Sequence, residues 1–269
     1  MKQLTKTGRL LYSIGIIALG IHQLLLKNFR EEILPAFPAW PHKYSVFPIL
    51  TGIALIFAGL MISGLFKIKF ISAKNTCLYL AFSFLILIIT CQLPNILIFN
   101  SDKLTSLDTW FGIGEELAYC GGALVMAGSF SENFTKERKN ILLLAMGKLI
   151  PVGRVFFALL ILLFGSTHFV FTDFVSTMVP KWMGAKIFWT YFVGAALICS
   201  AIAIIFKILL RPVAFLLAIM LFLFFIFFHV PDAIKNPYAS HGNEIVRATI
   251  ALLFCGIALV IATTGKIDK

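Results

Sequence analysis

Charge is what this chain has least of. Asp, Glu, Lys and Arg make up 13% of its 269 residues, while 60% are hydrophobic and the mean hydropathy is +0.96. Soluble domains hold about 25% charged residues and about half apolar ones, so a water-soluble globule is excluded and the solvent is lipid. Cysteine is sparse too. Cys77, Cys91, Cys120, Cys199 and Cys255 all fall in apolar runs, and no two have CxxC or metal-ligand spacing. That leaves no thioredoxin-like or zinc signature, and each thiol reads as a small buried hydrophobe. A haem-ligand pair and a flavin fingerprint are also missing, so the chain is not expected to carry electrons by itself. The first apolar run lacks a small-residue cleavage site, so it is expected to stay as a membrane span.

What is there is a series of long apolar runs. A span takes about 20 apolar residues. Runs at roughly 10–26, 44–66, 76–99, 110–130, 150–171, 186–206, 212–230 and 245–264 predict eight of them. An even number puts both termini on one side. That side carries Lys2, Lys6, Arg9, Lys67, Lys69, Lys74, Lys136, Arg138, Lys139, Lys148, Arg154, Lys207, Arg211, Lys266 and Lys269, fifteen of the 23 basic residues. Nine of the twelve acidic residues fall on the other. Lys/Arg bias in short loops sets orientation, so both termini are expected in the cytoplasm, in a bacterial-type inner membrane. The net charge of +11 is then mostly topology. Its expected partners are anionic membrane lipids rather than nucleic acid.

The chain also reads as a duplication. Gly8-Arg9 matches Gly153-Arg154 at the start of a span, and Gly20-Ile-His22 matches Gly165-Ser-Thr-His168 at its end. Pro38-Ala-Trp40 matches Pro180-Lys-Trp182, Gly52 matches Gly194, and Gln92-Leu-Pro94-Asn95 matches His229-Val-Pro231-Asp232. An outer glutamate, Glu115 or Glu116 and then Glu244, marks the fourth span of each copy. Six marks in one order predict an all-α integral membrane protein of eight transmembrane helices. They form two tandem parallel-repeat four-helix bundles with both termini cytoplasmic. The units are 1–130 and 150–269. Between them, 131–149 holds the polar linker SENFTKERKN and an interfacial helix over Ile141–Ile150.

The second half resembles the DoxX family of four-helix membrane proteins. The resemblance rests on Gly-Arg opening its first span, the rim histidine His168, Val179-Pro180-Lys181-Trp182, Arg211-Pro-Val-Ala, His229-Val-Pro231 and Glu244. The first half has the related Gly20-Ile-His22-Gln-Leu, so the likeness covers about 8–130 and 153–264 as two copies. Two features depart from it. Neither Gly52-Ile-Ala-Leu-Ile nor Gly194-Ala-Ala-Leu-Ile holds the glutamate that many members carry there, and Gln92 stands where the second copy has His229. The resemblance implies company with quinol-oxidising, thiosulfate:quinone or oxidant-detoxifying systems.

The candidate site residues lie at the outer mouths. Arg9 to His22 is 13 residues and Arg154 to His168 is 14, about 20 Å of helix, which sets each histidine near the outer interface. Each either joins a polar pocket or caps helix carbonyls. His229, His168 and Glu244 form a His/His/Glu cluster only if spans five, seven and eight converge. No helical ligand spacing supports a metal, and none is expected. Glu115 and Glu116 suit a helix N-terminus as well as a cavity. Glu244 has Arg247 three residues on for a helix-face pair. Asn95 and Asp232 read as caps after the proline breaks, and Trp40 and Trp182 as interfacial anchors. Arg9, Arg154 and Arg211 read as snorkelling residues. The functional expectation is an accessory membrane subunit that binds quinone or another lipophilic small molecule beside a redox partner, not catalytic on its own. The alternatives are a transporter or lipid/cargo-binding protein, or a membrane scaffold.

Overall fold

The computed structural model describes residues 1–66, 68–131, 140–238 and 242–265. Every named element among them is helical. The first four α-helices are α1 (Lys2–Leu26), α2 (Val46–Ser63), α3 (Ala73–Leu87) and α4 (Phe111–Gly128). Then come α5 (Ile141–Lys148), α6 (Gly153–Val170), α7 (Thr172–Met178), α8 (Lys186–Phe206), α9 (Leu210–Phe224), α10 (Val230–Lys235) and α11 (Asn243–Thr264). Residues 132–139 of the expected linker, His241, and the basic residues at 67, 266 and 269 lie outside the described residues.

Among the described residues, seven helical stretches are long and apolar enough to cross a membrane: Lys2–Leu26, Val46–Ser63, Ala73–Phe99, Ile141–Val170, Lys186–Phe206, Leu210–Lys235 and Asn243–Thr264. The chain is a multi-pass membrane protein. The run expected as an eighth span, 110–130, does form helix α4, but α4 is not among the seven. Glu115 and Glu116 dilute its apolar character. Even so, every residue of α4 from Ala118 to Ala127 is buried. α5 continues through a short 3-10 turn into α6, so this segment belongs to one long apolar stretch.

In lipid there is no hydrophobic gain from pressing one helix on another, so association rests on dispersion and on small residues that let backbones approach. α1 packs along α2 and α11, while α6 packs along α8 and α4; α3 lies on α4 and α9 on α11. Four glycine pairs make the seams of α1 and α6. A Cβ on Gly8 would stand 2.9 Å from the Gly256 carbonyl oxygen, and one on Gly256 would stand 2.5 Å from that of Gly8. Gly121 and Gly153 are related in the same way, at 2.5 and 2.7 Å. Gly20 with Gly52 joins α1 to α2 at 2.5 and 2.8 Å, and Gly165 with Gly194 joins α6 to α8 at 3.0 and 3.1 Å. No side chain fits at these crossings without moving a backbone.

Matching details recur along the chain. Tyr119-Cys120-Gly121 and Phe254-Cys255-Gly256 face each other, with the two rings stacked at 6.0 Å. The Cys120 thiol donates to the Ala81 carbonyl and the Cys255 thiol to that of Ala218, both at 3.3 Å. α3 and α9 are each 15 residues long and each runs into a π turn, Ile88–Gln92 and Phe225–His229. Pro94 and Pro231 follow two residues later, where a missing N–H widens the turn rather than ending the helix. Cys199 departs from the expected burial: it is exposed on α8, while the other four cysteines are buried.

The three span-end arginines clamp helix ends, where the sequence suggested snorkelling. Each puts a cation on the carbonyls that a helix leaves unsatisfied at its C-terminus. Arg9 donates to the Ser129 hydroxyl (2.8 Å) and carbonyl at the end of α4, and lies 3.7 Å over the Phe130 ring. Arg154 donates to the Ile204 carbonyl and, at 2.8 Å, to that of Ile205 near the end of α8. Arg211 donates to the Gly265 carbonyl after α11 at 2.7 Å.

Gly121→Ala and Gly256→Ala should each lower stability by about 1–3 kcal/mol, read as a fall in the thermal unfolding midpoint in detergent. Gly64→Asn is the control, since Gly64 has a left-handed φ of 79° and open space around it. Wild-type melting of Gly121→Ala would contradict the seam.

Candidate functional site

The end of the bundle remote from the chain termini holds its most costly polar groups. α1 stops at Lys27 in a left-handed conformation, and the chain folds back over the bundle through residues 28–45. Ile33 and Leu34 of this loop are buried. His42 pins it, one ring nitrogen 2.8 Å from the Pro35 carbonyl and the other 3.3 Å from the Asn28 side-chain oxygen. Arg30 is carried inward with them and is only 5% exposed. Its guanidinium lies 3.1 Å from His22 Nδ1 and 3.0 Å from Glu32 Oε1. Arginine has donors only, so His22 Nδ1 accepts. Arg30 Nε is buried with no hydrogen-bond partner.

α4 brings two carboxyls to the same end. Glu115 accepts from the Tyr119 hydroxyl at 3.1 Å, and the charges that act on it are Glu32, Arg30 and Arg247. The Tyr119 carbonyl in turn accepts from the Tyr12 hydroxyl at 2.9 Å, so α1 fixes this part of α4. Glu116 points into the bundle with no exposed surface, and neither of its oxygens has a hydrogen-bond partner. Gln92, at the end of the first π turn, is the polar side chain that acts on it. The Gln92 amide donates to the Glu31 carbonyl at 3.1 Å, which ties the folded-back loop to α3's π turn.

From α11, Glu244 pairs with Arg247 at 3.1 Å, the i,i+3 contact expected from its spacing. His22 on α1 and Arg30 and Glu32 in the loop after it thus meet Glu115 on α4, with Arg247, the partner of Glu244 on α11, also acting on Glu115. Arg247 and Asp232 act on His229.

The remaining candidates lie apart. His168 Nδ1 sits 2.8 Å from the Phe164 carbonyl of its own helix, the capping geometry. Asp232 is exposed and its carbonyl caps Asn236. The Asn95 carbonyl accepts from the Asn100 side chain at 3.0 Å. Trp40 and Trp182 are exposed, edge-on to Phe47 and Phe227. No group of three His, Cys, Asp or Glu side chains converges as metal ligands among the described residues, so His168, His229 and Glu244 do not form one.

The residues that sequence reasoning passed over are Arg30, Glu32 and Tyr119. Arg30 and Glu32 sit in NFREEIL, which reads as an ordinary charged outer loop; the apolar Ile33-Leu34 straight after them is the one signal of burial. Compared with known proteins, the chain matches no family model, no curated protein and no solved structure.

Two ion pairs at this end should behave differently on truncation. Arg30→Ala strips the partner from a buried pair and should cost about 3 kcal/mol or more. Arg247→Ala removes a pair whose arginine is 55% exposed, and should cost less than about 1 kcal/mol. Equal shifts in chemical or thermal unfolding would refute the placement of Arg30.

Proposed function

We propose that the chain is a DoxX-like protein of eight spans, α4 included, built by tandem duplication of a four-span unit. In this reading both termini lie on the cytoplasmic side of a bacterial-type inner membrane. Its function is that of an accessory subunit that holds a quinone or another lipophilic small molecule beside a membrane redox partner. The duplication is supported by the glycine pairs, by the matching Cys120–Ala81 and Cys255–Ala218 hydrogen bonds and by the π turns at matching places. The inclusion of α4 is supported by the burial of Glu116 and of every residue from Ala118 to Ala127, since a helix shielded from lipid by its neighbours tolerates two glutamates.

One observation carries the functional reading. Glu116 is fully buried without a hydrogen-bond partner, facing Gln92 in an otherwise apolar bundle. An unsatisfied buried carboxyl costs free energy, and ionisable groups inside membrane bundles belong to ligand sites and proton paths. A carboxyl and an amide set in apolar walls suit the carbonyl oxygen of a lipophilic ring, and a carboxyl can also pass it a proton. Glu115, hydrogen-bonded to Tyr119 and influenced by Arg30 and Glu32, links this point to the polar set at the bundle end. Electrons would come from the partner, because the sequence has no haem-ligand pair, flavin fingerprint or CxxC.

A second reading is proton-coupled transport. It is favoured by Glu116 facing the π turn of the third span, with a second π turn at the matching place in the other half. Distorted helices beside an ionisable group are a feature of transport sites.

Purified protein should melt at a higher temperature when a short-chain quinone is added. Glu116→Leu should abolish that response and, by removing an unsatisfied carboxyl, raise intrinsic stability by about 1–3 kcal/mol. No thermal response, together with no bound lipophile by mass spectrometry, would sink the quinone reading. Uptake in proteoliposomes that is driven by a pH gradient and lost in Glu116→Gln would favour transport.

A further inference from the structure

Glu116 has no exposed surface, so no ligand reaches it while its neighbours stay where they are. Gln92 is one of those neighbours and is only 2% exposed. A Cβ on Gly112 would stand 3.4 Å from Gln92 Oε1, which seats this side chain against α4 one helical turn before Glu116. The amide of Gln92 is already engaged: it donates to the Glu31 carbonyl at 3.1 Å. That backbone carbonyl accepts from Gln92 in the way the carbonyl of a ligand ring would.

The segment that supplies it, residues 28–45, is braced within itself. His42 ties Asn28 to Pro35, and the Phe29 ring meets the His42 ring edge-on at 5.6 Å. The Ile33 and Leu34 amides both donate to the Arg30 carbonyl, at 3.0 and 2.9 Å. A segment held together this way moves as one body, and it hangs from Lys27, a non-glycine residue at φ 51°. Its ties to the helices are contacts that water or a ligand can replace. Arg30 meets His22, Gln92 meets the Glu31 carbonyl, and the Phe37 ring lies 4.6 Å from that of Phe99 at the end of the third span. Ile33 and Leu34 give the segment its apolar seat. Closure also has a cost, because it leaves Arg30 Nε buried without a hydrogen-bond partner, a donor that water satisfies once the segment lifts.

We propose that residues 28–45 form an autoinhibitory strap, in which the Glu31 carbonyl holds the Gln92 amide until the carbonyl of a lipophilic ring displaces it and the strap lifts away from the site. This rests on the quinone reading of Glu116. A closed strap lowers the apparent affinity by the fraction of molecules it occupies, so loosening it tightens binding. The test uses full-length protein in detergent, with a short-chain quinone titrated against the thermal unfolding midpoint and amide hydrogen exchange followed by mass spectrometry. Quinone should speed exchange within 28–45. Phe37→Ala, which removes the ring contact with Phe99, should respond at several-fold lower quinone concentration. Phe188→Ala, which removes a stacked ring contact with Phe192 on α8, should titrate like the wild type. A thermal response with unchanged or slower exchange in 28–45, or wild-type titration of Phe37→Ala, overturns the strap and leaves the quinone site standing. A response in Phe37→Ala with none in the wild type supports the strap. No response in either protein overturns the site reading and the strap with it. Should Phe37→Ala not fold, exchange in the wild type decides: faster exchange in 28–45 with quinone supports the strap, and unchanged or slower exchange rejects it.

Discussion

The backbone of α1 lies against that of α11 at Gly8 and Gly256, and the backbone of α6 lies against that of α4 at Gly121 and Gly153. These crossings place the first long helix of each half on the last helix of the other half. Separating the halves would strip α4 and α11 of their closest neighbours and expose two helices that are the most completely covered in the bundle. Burial of α4 in turn lets Glu115 and Glu116 stay inside an apolar protein. The chemistry at the remote end depends on glycines some distance away along the same helix.

Much of this architecture is legible in the sequence, because lipid imposes a simple grammar. Apolar runs at 44–66, 186–206 and 245–264 became α2, α8 and α11 with boundaries shifted by a few residues. The glycines picked out at positions 8, 20, 52, 153, 165 and 194 all sit in helix crossings. What could not be read is which helix each glycine meets. A small residue shows that a face is meant for close approach, but the face of the partner is equally small, and several partners qualify. Gly121 and Gly256 drew no notice, because a glycine inside YCGGA or FCGIA looks like any other in an apolar run.

The site was legible in part. Glutamates in a span are rare enough to be noticed, and both acids on α4 proved to be buried or bonded inside the bundle. The two rim histidines take the two roles left open for them: His168 bonds its own helix, whereas His22 is held beside Arg30. Arg30 was hidden because burial of a loop arginine is decided by long-range folding of residues 28–45, which no local pattern encodes. The arginines at span ends were likewise read one helix at a time, and their carbonyl partners lie on other helices.

The interlocked packing is tested most directly by cutting the chain between its halves. A protease site inserted between Ser131 and Asn140 lets the folded protein be cleaved in detergent. The two fragments should then remain together through size-exclusion chromatography and unfold in a single transition. Fragments that separate under native conditions, each keeping its helix content and melting on its own, would contradict it.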